Sequence, residues 1–384
     1  LAHPALASKT RTPDLVSMYN DSTSSGQAAS PQDGKAHVMR NATLVSFFGI
    51  LLVSISGCDT PLAYGDPHAI IVVSSEDVWP ALEDSVLAVL SPDVFTLRNE
   101  RTFRVTYQVP EGIEWQRLRK FKETVLIGGA DDPWMAEALA AADDPVDFDV
   151  PGIVEVENVW ANGQNLTIMV VDPARDVAPQ VFGLLHEAHR IIDQRFREGA
   201  RRRMFVSGIK DDLADSLQEA VGFSLLLPEV YRWEVTDSFF IFRNDNPSPG
   251  ELIRQFGVTW RTPIPTDLTT DSLLAWKEAV SVDRYAYPQT VDLESIQTRE
   301  MVMGNMEIRE IRGAWSNPPG SQWPAAGPFV FWSVVCPGQE RLYFLDSWLY
   351  APGTDKWEYI IQLETILGSC RCGTESTREM QIGD

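Results

Sequence analysis

Alternating hydrophobic and polar positions predict strands in the first part of the folded body. The run at residues 69–74 is almost wholly apolar and predicts a buried strand. Further along, two apolar stretches at 153–161 and 166–171 are separated by Asn162 and Gly163. Asn-Gly between such stretches is a strong hairpin signal, because both residues adopt positive φ with little strain. The pattern therefore predicts a buried strand and, later, a β-hairpin.

A long amphipathic helix is predicted directly after this hairpin. Asp172 and Pro173 break the second strand, and Asp176 is placed to cap a helix that continues to about Arg203. Apolar side chains recur every three or four residues along this segment, which puts them on one face. We expect that face to pack against the sheet.

The second part of the chain has a similar order of strands and helices. A helix over 211–221 is expected to stop at Gly222, because glycine is the preferred residue just after a helix end. The later strands and the final helix are predicted at 307–315, 329–335, 341–350 and 355–367.

These elements predict an α+β fold with two α+β halves, each made of an antiparallel β-hairpin or sheet followed by a packing helix. The first half is expected at 69–205, the second at 206–369, and a C-terminal tail at 370–384. In both halves a proline and then an aspartate, Asp176 or Asp355, precede the last long helix. This similarity allows two interpretations, a duplicated unit with a cleft between its copies or ordinary strand-to-helix punctuation.

Residues 39–58 carry the most specific short signal in the chain. Their apolar run at 42–55 is shorter than the roughly 20 residues that span a bilayer, but it has the length of a secretory signal. The run closes on small residues and a single cysteine, Cys58, as in a bacterial lipoprotein signal. We therefore predict that Cys58 is lipidated, that Met39 is the native start, and that residues 1–38 are an upstream extension foreign to the natural protein.

The alternative for this segment is a cytosolic extension followed by an ordinary transmembrane anchor. The single Arg40, the short apolar run and the terminal cysteine favour the lipoprotein signal instead. Two or more acyl chains on Cys58 would give stable anchoring, at about 0.8 kcal/mol per buried methylene. Residues 59–68 would then form a tether of at most about 35 Å. The expected location is the cell envelope, on the periplasmic side or at the outer membrane.

The net negative charge of the chain argues against nucleic acids as partners. The chain has 54 acidic and 32 basic residues, a net charge of −22, and without residues 1–58 the balance is 51 against 28, or −23. Such an excess repels polyanions, so nucleic-acid binding is not expected. The partners predicted are the membrane, through the anchor, and an unidentified envelope protein or ligand.

Three cysteines remain besides Cys58. Outside the cytoplasm a disulfide can form, but Cys370 and Cys372 are too close in sequence for an unstrained mutual bridge. A bridge from Cys336 to one of them is the better candidate, and we take Cys336 with Cys370 as the predicted pair.

One group of side chains suggests a metal site. On the predicted helix at 176–203, His186, His189 and Asp193 cluster at the flank of the apolar face. Two imidazoles and a carboxylate can hold a metal with an open position, as in a hydrolase. The two histidines are one residue closer than in the zinc-protease pattern, and solvated histidines on a helix flank are the common alternative.

No other catalytic motif is present. The sequence lacks a nucleophile elbow, a phosphate loop, an EF-hand and a dinucleotide fingerprint. We therefore predict no cofactor and favour a non-catalytic binding or scaffold role over an envelope hydrolase.

Aromatic residues are dense between positions 315 and 357. Both faces of the strand at 329–335 are bulky, which predicts a sheet packed on both sides with most of these rings in the core. Trp323, in a loop rich in proline and glycine, is the best candidate for a ring that contacts a ligand such as a sugar or a peptide. Arg312 is a second candidate for a ligand contact.

Six short motifs occur in a recognisable order. They are Val-Trp-Ala at 159–161 with Gln164, Leu-Pro-Glu-Val-Tyr at 227–231, Arg-Gly-Ala-Trp at 312–315, Gly-Pro-Phe-Val at 327–330, Trp-Leu-Tyr-Ala-Pro at 348–352 and Leu-Glu-Thr-Ile-Leu at 363–367. Together they resemble the bacterial lipoprotein family known as domain of unknown function 4837, over roughly residues 67–369. Ala325 and Ala326 depart from the Met-Gly pair expected before Gly327. The family has no established activity, so the resemblance implies no catalytic residues.

Overall fold

A computed structural model describes residues 60–142, 149–248 and 250–373. The chain from Leu62 onward forms one compact unit. The predicted signal at 39–58, with the lipidation site Cys58, lies outside the described residues. None of the helices in the described part combines the length and the apolar character needed to cross a membrane.

Seven α-helices and sixteen strands occur among the described residues. The helices are α1 (Trp79–Leu90), α2 (Gly112–Leu118), α3 (Pro133–Leu139), α4 (Val177–Met204), α5 (Asp211–Val221), α6 (Thr270–Arg284) and α7 (Trp357–Gly368). The strands are β1 (Ala69–Val73), β2 (Asp93–Phe95), β3 (Asn99–Arg101), β4 (Arg104–Gln108), β5 (Glu123–Gly128), β6 (Gly152–Glu157), β7 (Asn165–Val170), β8 (Phe223–Ser224), β9 (Arg232–Thr236), β10 (Phe239–Asn244), β11 (Ile253–Arg261), β12 (Thr290–Met303), β13 (Met306–Ser316), β14 (Ala326–Cys336), β15 (Arg341–Tyr350) and β16 (Arg371–Cys372).

The first large sheet has five strands in the order β4-β1-β5-β7-β6. The predicted hairpin is confirmed as β6–β7, and Gly163 in its turn has φ of +79°. The other strand pairs in this sheet are parallel. The hydrophobic pattern did not predict parallel pairing, because the sequence of a buried strand does not show the direction of the strands that pair with it.

Helix α4 is the long helix predicted after the hairpin. The carboxylate of Asp176 caps it by accepting from the backbone N–H of Ala178 at 3.3 Å. Its apolar face, which includes Val181 and Leu185, is buried. The helix contacts α1 and the β6–β7 hairpin, so it covers one face of the five-stranded sheet.

The second large sheet has seven antiparallel strands in the order β12-β13-β14-β15-β11-β10-β9. Helix α6 packs Leu273, Trp276 and Val280 onto one face of this sheet, while α7 contacts β14 and β15. Because side chains alternate along a strand, the central strands β14 and β15 are apolar on both faces. The prediction that most aromatic rings of this region lie in the core is confirmed.

The α+β class is confirmed, but the interpretation of the two halves as duplicates is wrong. One sheet is mainly parallel with five strands, and the other is antiparallel with seven. The shared Pro and Asp signals reflect ordinary strand-to-helix punctuation. No strand was predicted at β12, because this edge strand carries mostly exposed polar side chains.

The segment at 59–68, predicted to be a tether, is largely part of the compact unit. Leu62 and Tyr64 form isolated bridges with Asn162 and Phe121. The Tyr64 hydroxyl also donates to the carbonyl oxygen of Arg117 at 2.8 Å. The prediction of a free tether was therefore wrong from Leu62 onward, since backbone pairing holds these residues to the first sheet.

The disulfide joins Cys336 to Cys372, so the predicted partner Cys370 is wrong. Cys370 still belongs to the turn that ends α7, where its N–H donates to the carbonyl oxygen of Leu367 at 2.9 Å. Cys372 lies in β16, which pairs with β8 and reaches the end of β14. Cys370 is a buried free cysteine. The prediction that the C-terminal tail starts at residue 370 is wrong, because Arg371 and Cys372 form β16.

Candidate binding pocket

A pocket opens on the face of the seven-stranded sheet that α6 covers. It lies beside two connecting segments, at 285–289 and 317–325. Its interior holds about 30 Å³, room for one or two water molecules, and the rest of the pocket is open to solvent. Aromatic side chains dominate its lining, namely Tyr285, Tyr287, Trp315, Trp323, Trp348 and Tyr350. The polar members of the lining are Arg243, Gln255, Gln289 and Asn317.

The strand register brings the deep part of the lining together. Gln255 on β11 lies opposite Trp348 on β15 and opposite Arg243 on β10, so the three side chains form one rung across the sheet. Tyr350 lies two residues after Trp348 and projects from the same face. Residues far apart in sequence thus meet because antiparallel pairing sets them in one row.

Two buried indole groups form the most unusual feature of the pocket. The exposed fractions of Trp315 and Trp348 are only 3% and 7%, and their ring centroids are 5.2 Å apart in an edge-to-face contact. The Nε1 atom of each ring is buried and has no hydrogen-bond partner in the protein. Buried indole N–H groups usually find an acceptor, since an unpaired one costs about 1–3 kcal/mol. Protein atoms enclose both nitrogens, so each N–H group is a cost that the surrounding aromatic packing offsets.

Gly327 contributes to the space around one of these donors. It lies opposite Trp315 across the β13–β14 pair. A Cβ atom at this position would meet the carbonyl oxygen of Leu349 at 1.8 Å and the Trp315 Nε1 at 3.2 Å. Glycine is therefore required here for strand packing.

Trp323, predicted from the sequence as a ligand contact, lies at the mouth of the pocket. Its half-buried ring makes edge-to-face contacts with Tyr287, at 5.5 Å between centroids, and with Tyr350, at 5.8 Å. The loop that carries it is closed by a hydrogen bond from the N–H of Asn317 to the carbonyl oxygen of Ala325 at 2.9 Å. Three aromatic rings thus border the entrance.

A buried charged group supports the floor of the pocket. The Lys277 ammonium contacts both carboxylate oxygens of Asp346, at 2.9 and 2.8 Å, and donates to Gln289 Oε1 at 3.3 Å. The Tyr285 hydroxyl donates to Asp346 at 2.7 Å, and burial together with this carboxylate raises the pKa of Tyr285 well above its usual value. Tyr285 and Gln289 are both lining residues, so the network holds two walls of the pocket in place.

The predicted metal ligands do not form a metal site. His186 is exposed on α4, while His189 is half-buried with its Nε2 atom unpartnered. Asp193 accepts from the guanidinium of Arg197 at 2.7 Å, four residues further along the helix. No set of three or more His, Cys, Asp or Glu side chains in the described part of the chain could hold a metal ion. The helix places these three residues on one flank, but the carboxylate of Asp193 is paired with the guanidinium of Arg197.

Arg312, the second predicted ligand contact, lies in an ion-pair network outside the aromatic pocket. It donates to Glu310 at 2.6 Å and to Glu364 of α7 at 2.5 Å. Glu364 also accepts from Arg197 of α4 at 3.0 Å. The network therefore links β13 and α7 to α4, and it compensates the charge of Arg312 within the protein.

Two sequence signals of the pocket floor were missed. Asp346 interrupts an otherwise apolar strand, and Gly257 interrupts another in the middle. A charged residue inside a buried strand indicates a buried partner, and an isolated strand glycine indicates a close approach. The partner Lys277 on α6 cannot be identified from these positions alone.

The pocket lies in the part of the chain that matches a known family of protein domains. The comparison with curated proteins finds no match to this chain. Residues 210–369 match a family model, which includes every residue of the pocket lining. The resemblance inferred from short motifs over residues 67–369 is thus supported for its C-terminal part. Residues 210–369 are similar to the family described as Domain of unknown function (DUF4837).

Proposed function

We propose that this protein is a lipid-anchored cell-envelope protein that binds a ligand against the aromatic mouth of this pocket without catalysing a reaction. The observation that carries the binding role is the group of aromatic rings at the open mouth, where Trp323 contacts Tyr287 and Tyr350 at 5.5 and 5.8 Å between centroids. Rings that border an open mouth offer apolar contact to a flat face of a ligand.

The composition of the lining favours binding over hydrolysis. Besides three tyrosine hydroxyls, its polar side chains are three carboxamides and one guanidinium, none of which is an effective general base near neutral pH. The Tyr285 hydroxyl is occupied by Asp346, so it is not positioned to exchange a proton with a ligand.

The anchor is proposed from the signal-like segment at 39–58 and its terminal Cys58. Changing Cys58→Ser should release the protein into the soluble fraction and abolish labelling with a radioactive fatty acid. Ser56→Ala is the matched control, because it keeps a small residue before the cysteine and should leave both properties intact. Continued lipid labelling of the Cys58→Ser variant would refute the anchor.

The binding role is tested with the full chain purified in detergent. Tryptophan fluorescence and thermal melting are followed during titration with neutral saccharides, short peptides, aromatic acids and quaternary amines. At least one class should shift both signals, and Trp323→Ala should weaken that response. Trp233→Ala, a half-buried ring on β9 outside the lining, is the control. No response to any class, or equal weakening by both variants, would overturn the proposal.

A further inference from the structure

We propose that a surface made of Leu62, Tyr64, Ile113 and the segment at 117–122 docks on the anionic headgroups of the membrane that holds the lipid anchor. We call this surface the basic face. The inference rests on the proposed anchor at Cys58, and it adds which side of the folded body faces the bilayer.

The segment at 117–122 concentrates positive charge in an acidic chain. Four of its six residues are basic and none is acidic, namely Arg117, Arg119, Lys120 and Lys122. Glu114 pairs with Arg117 at 3.4 Å, and Glu137 pairs with Arg119 at 3.5 Å. These carboxylates compensate the two arginines and leave the two lysines as excess positive charge.

Lys120 and Lys122 differ from the other lysines in the described part of the chain. Lys210, Lys277 and Lys356 each form an ion pair with a carboxylate. Neither Lys120 nor Lys122 forms an ion pair with a described residue, although Lys122 is exposed and Lys120 half-buried. Carboxylates are abundant in this chain, so two neighbouring unpaired ammonium groups indicate an anionic partner outside it.

Hydrogen bonds hold the basic segment to the start of the folded body. The N–H of Tyr64 donates to the carbonyl oxygen of Lys120 at 3.2 Å, and the N–H of Lys122 donates to the carbonyl oxygen of Tyr64 at 3.0 Å. The Tyr64 hydroxyl donates to the carbonyl oxygen of Arg117 at 2.8 Å. Its ring contacts Phe121 edge-to-face at 4.8 Å between centroids. The basic segment therefore keeps a constant position relative to Tyr64.

The covalent chain keeps this surface near the proposed lipid. Leu62 lies four positions after Cys58, a distance of at most about 14 Å in a fully extended chain. The potential of an anionic bilayer acts over a similar range, since the screening length is about 10 Å at 0.1 M salt. A lipid on Cys58 would therefore keep the basic segment within reach of the headgroups. An acidic protein partner would have no reason to bind beside the anchor.

Two large apolar side chains are exposed on the same surface. Leu62 is 79% exposed, and Ile113 on α2 is 78% exposed. Ile113 precedes Arg117 by four residues, so the two side chains are neighbours on the helix surface. Exposed apolar side chains beside basic ones are typical of segments that lie in a membrane interface. The basic face thus offers both apolar contact and charge attraction to an anionic bilayer.

The test places an environment-sensitive fluorophore on Leu62→Cys in the full lipidated chain, reconstituted in vesicles. The vesicles contain phosphatidylcholine alone or phosphatidylcholine with phosphatidylglycerol. Cys370 is buried, so it should not compete for the label. The emission should shift to shorter wavelength when phosphatidylglycerol is present. The same label on Val282→Cys, an exposed position on α6, should not respond to the lipid.

A pair of charge variants identifies the groups responsible for the shift. Lys120→Gln combined with Lys122→Gln should abolish the difference between the two vesicle types. Arg232→Gln combined with Arg261→Gln is the matched control, because it removes two positive charges from exposed positions of the seven-stranded sheet. The control should keep the shift of the wild type. Equal loss in both variants would overturn the basic face, since net charge alone would then explain the response.

The remaining outcomes separate the basic face from the anchor. Emission that does not depend on phosphatidylglycerol, or that keeps its dependence in the lysine variant, would overturn the basic face and leave the anchor standing. A wild-type chain that takes up no fatty acid would overturn the anchor. In that case the unlipidated chain is mixed with preformed vesicles, and stronger flotation with phosphatidylglycerol, lost in the lysine variant, would support the basic face. Equal flotation with the two vesicle types would overturn it as well.

Discussion

Gly257 lies directly opposite Asp346 across the β11–β15 pair, and its lack of a side chain leaves room for the hydroxyl group that binds this carboxylate. That hydroxyl belongs to Tyr285, a wall of the aromatic pocket. A glycine in one strand therefore permits a buried charge in the next strand to position a pocket residue.

The first prediction concerns this glycine. A Cβ atom at Gly257 would lie 2.7 Å from the Tyr285 hydroxyl oxygen and 2.8 Å from the Phe239 ring. We expect Gly257→Ala to lower the free energy of unfolding by about 2–3 kcal/mol, through overpacking and loss of the hydrogen bond to Asp346. Urea unfolding measures this change.

The control for that change is Gly183→Ala on α4. No atom outside the helix lies within 4 Å of the added Cβ. Alanine should be neutral or stabilise the helix by up to about 1 kcal/mol. Equal destabilisation by the two variants would contradict the close approach at Gly257.

The second prediction concerns the buried pair of Lys277 and Asp346, whose side chains are 1% and 0% exposed. Lys277→Met or Asp346→Asn alone should cost about 3–5 kcal/mol, because each leaves an uncompensated buried charge. The double variant should cost less than the sum of the single ones, since it removes both charges. A double-mutant cycle by urea unfolding measures the coupling.

An exposed ion pair provides the comparison. Glu114 and Arg117 on α2 have side chains that are 58% and 69% exposed, and they are 3.4 Å apart. Their coupling should stay below about 1 kcal/mol. If the Lys277–Asp346 cycle gave a coupling as small as this, the buried pair would not be the support of the pocket floor.

The third prediction concerns acid sensitivity at Glu310. Burial opposes ionisation of this carboxyl group, but hydrogen bonds from Arg312 and Trp332 together with the charge of Arg299 outweigh it and lower its pKa. A depressed folded-state pKa gives stability that is present above the unfolded value, about 4.3, and is lost as pH falls through the folded value. Stability measured from pH 7 to pH 3 should therefore decline in the wild type.

Two variants identify the source of that decline. Glu310→Gln should be less stable than the wild type at pH 7, and the difference should shrink toward pH 3, where the carboxyl group is protonated. Arg312→Met should shift the decline to higher pH, because it removes the cation that holds the pKa down. A difference between Glu310→Gln and wild type that stays constant with pH would contradict this account.

The fourth prediction concerns Cys370. Burial raises the pKa of its thiol from 9.0 to about 12, so the folded protein should resist alkylation at pH 8 and should react only after unfolding. Because the unfolded thiol ionises more easily, its contribution to stability is present below about pH 9 and declines as pH rises toward 12. Cys370→Ala should weaken that alkaline decline.

Peptide mapping tests the disulfide in the same preparation. Trypsin cleaves after Arg371, which places Cys370 and Cys372 on different peptides. Alkylation in denaturant without reductant, followed by digestion, should give an alkylated Cys370 peptide and a Cys336 peptide linked to the one that begins at Cys372. A link from Cys336 to Cys370 would contradict the structure.

Local sequence signals predicted the turns and helix ends that are set by residues within a short stretch of the chain. The Asn162-Gly163 turn, the Asp176 cap and the stop at Gly222 all lie where they were expected. The contact predicted between Trp323 and a ligand stays a prediction, and its ring is half-buried against Tyr287 and Tyr350. By contrast, β12 was missed, since an exposed edge strand needs no apolar alternation.

The sequence by itself determined the α+β class, the order of most elements and the acidic net charge of −22. The tertiary structure decided which residues meet. It joined Lys277 to Asp346 across 69 positions, paired Cys336 with Cys372, and set Trp315 beside Trp348. Helix caps and turns depend on neighbours within a few residues, whereas the pocket depends on strand register and helix docking, which no short stretch of sequence contains.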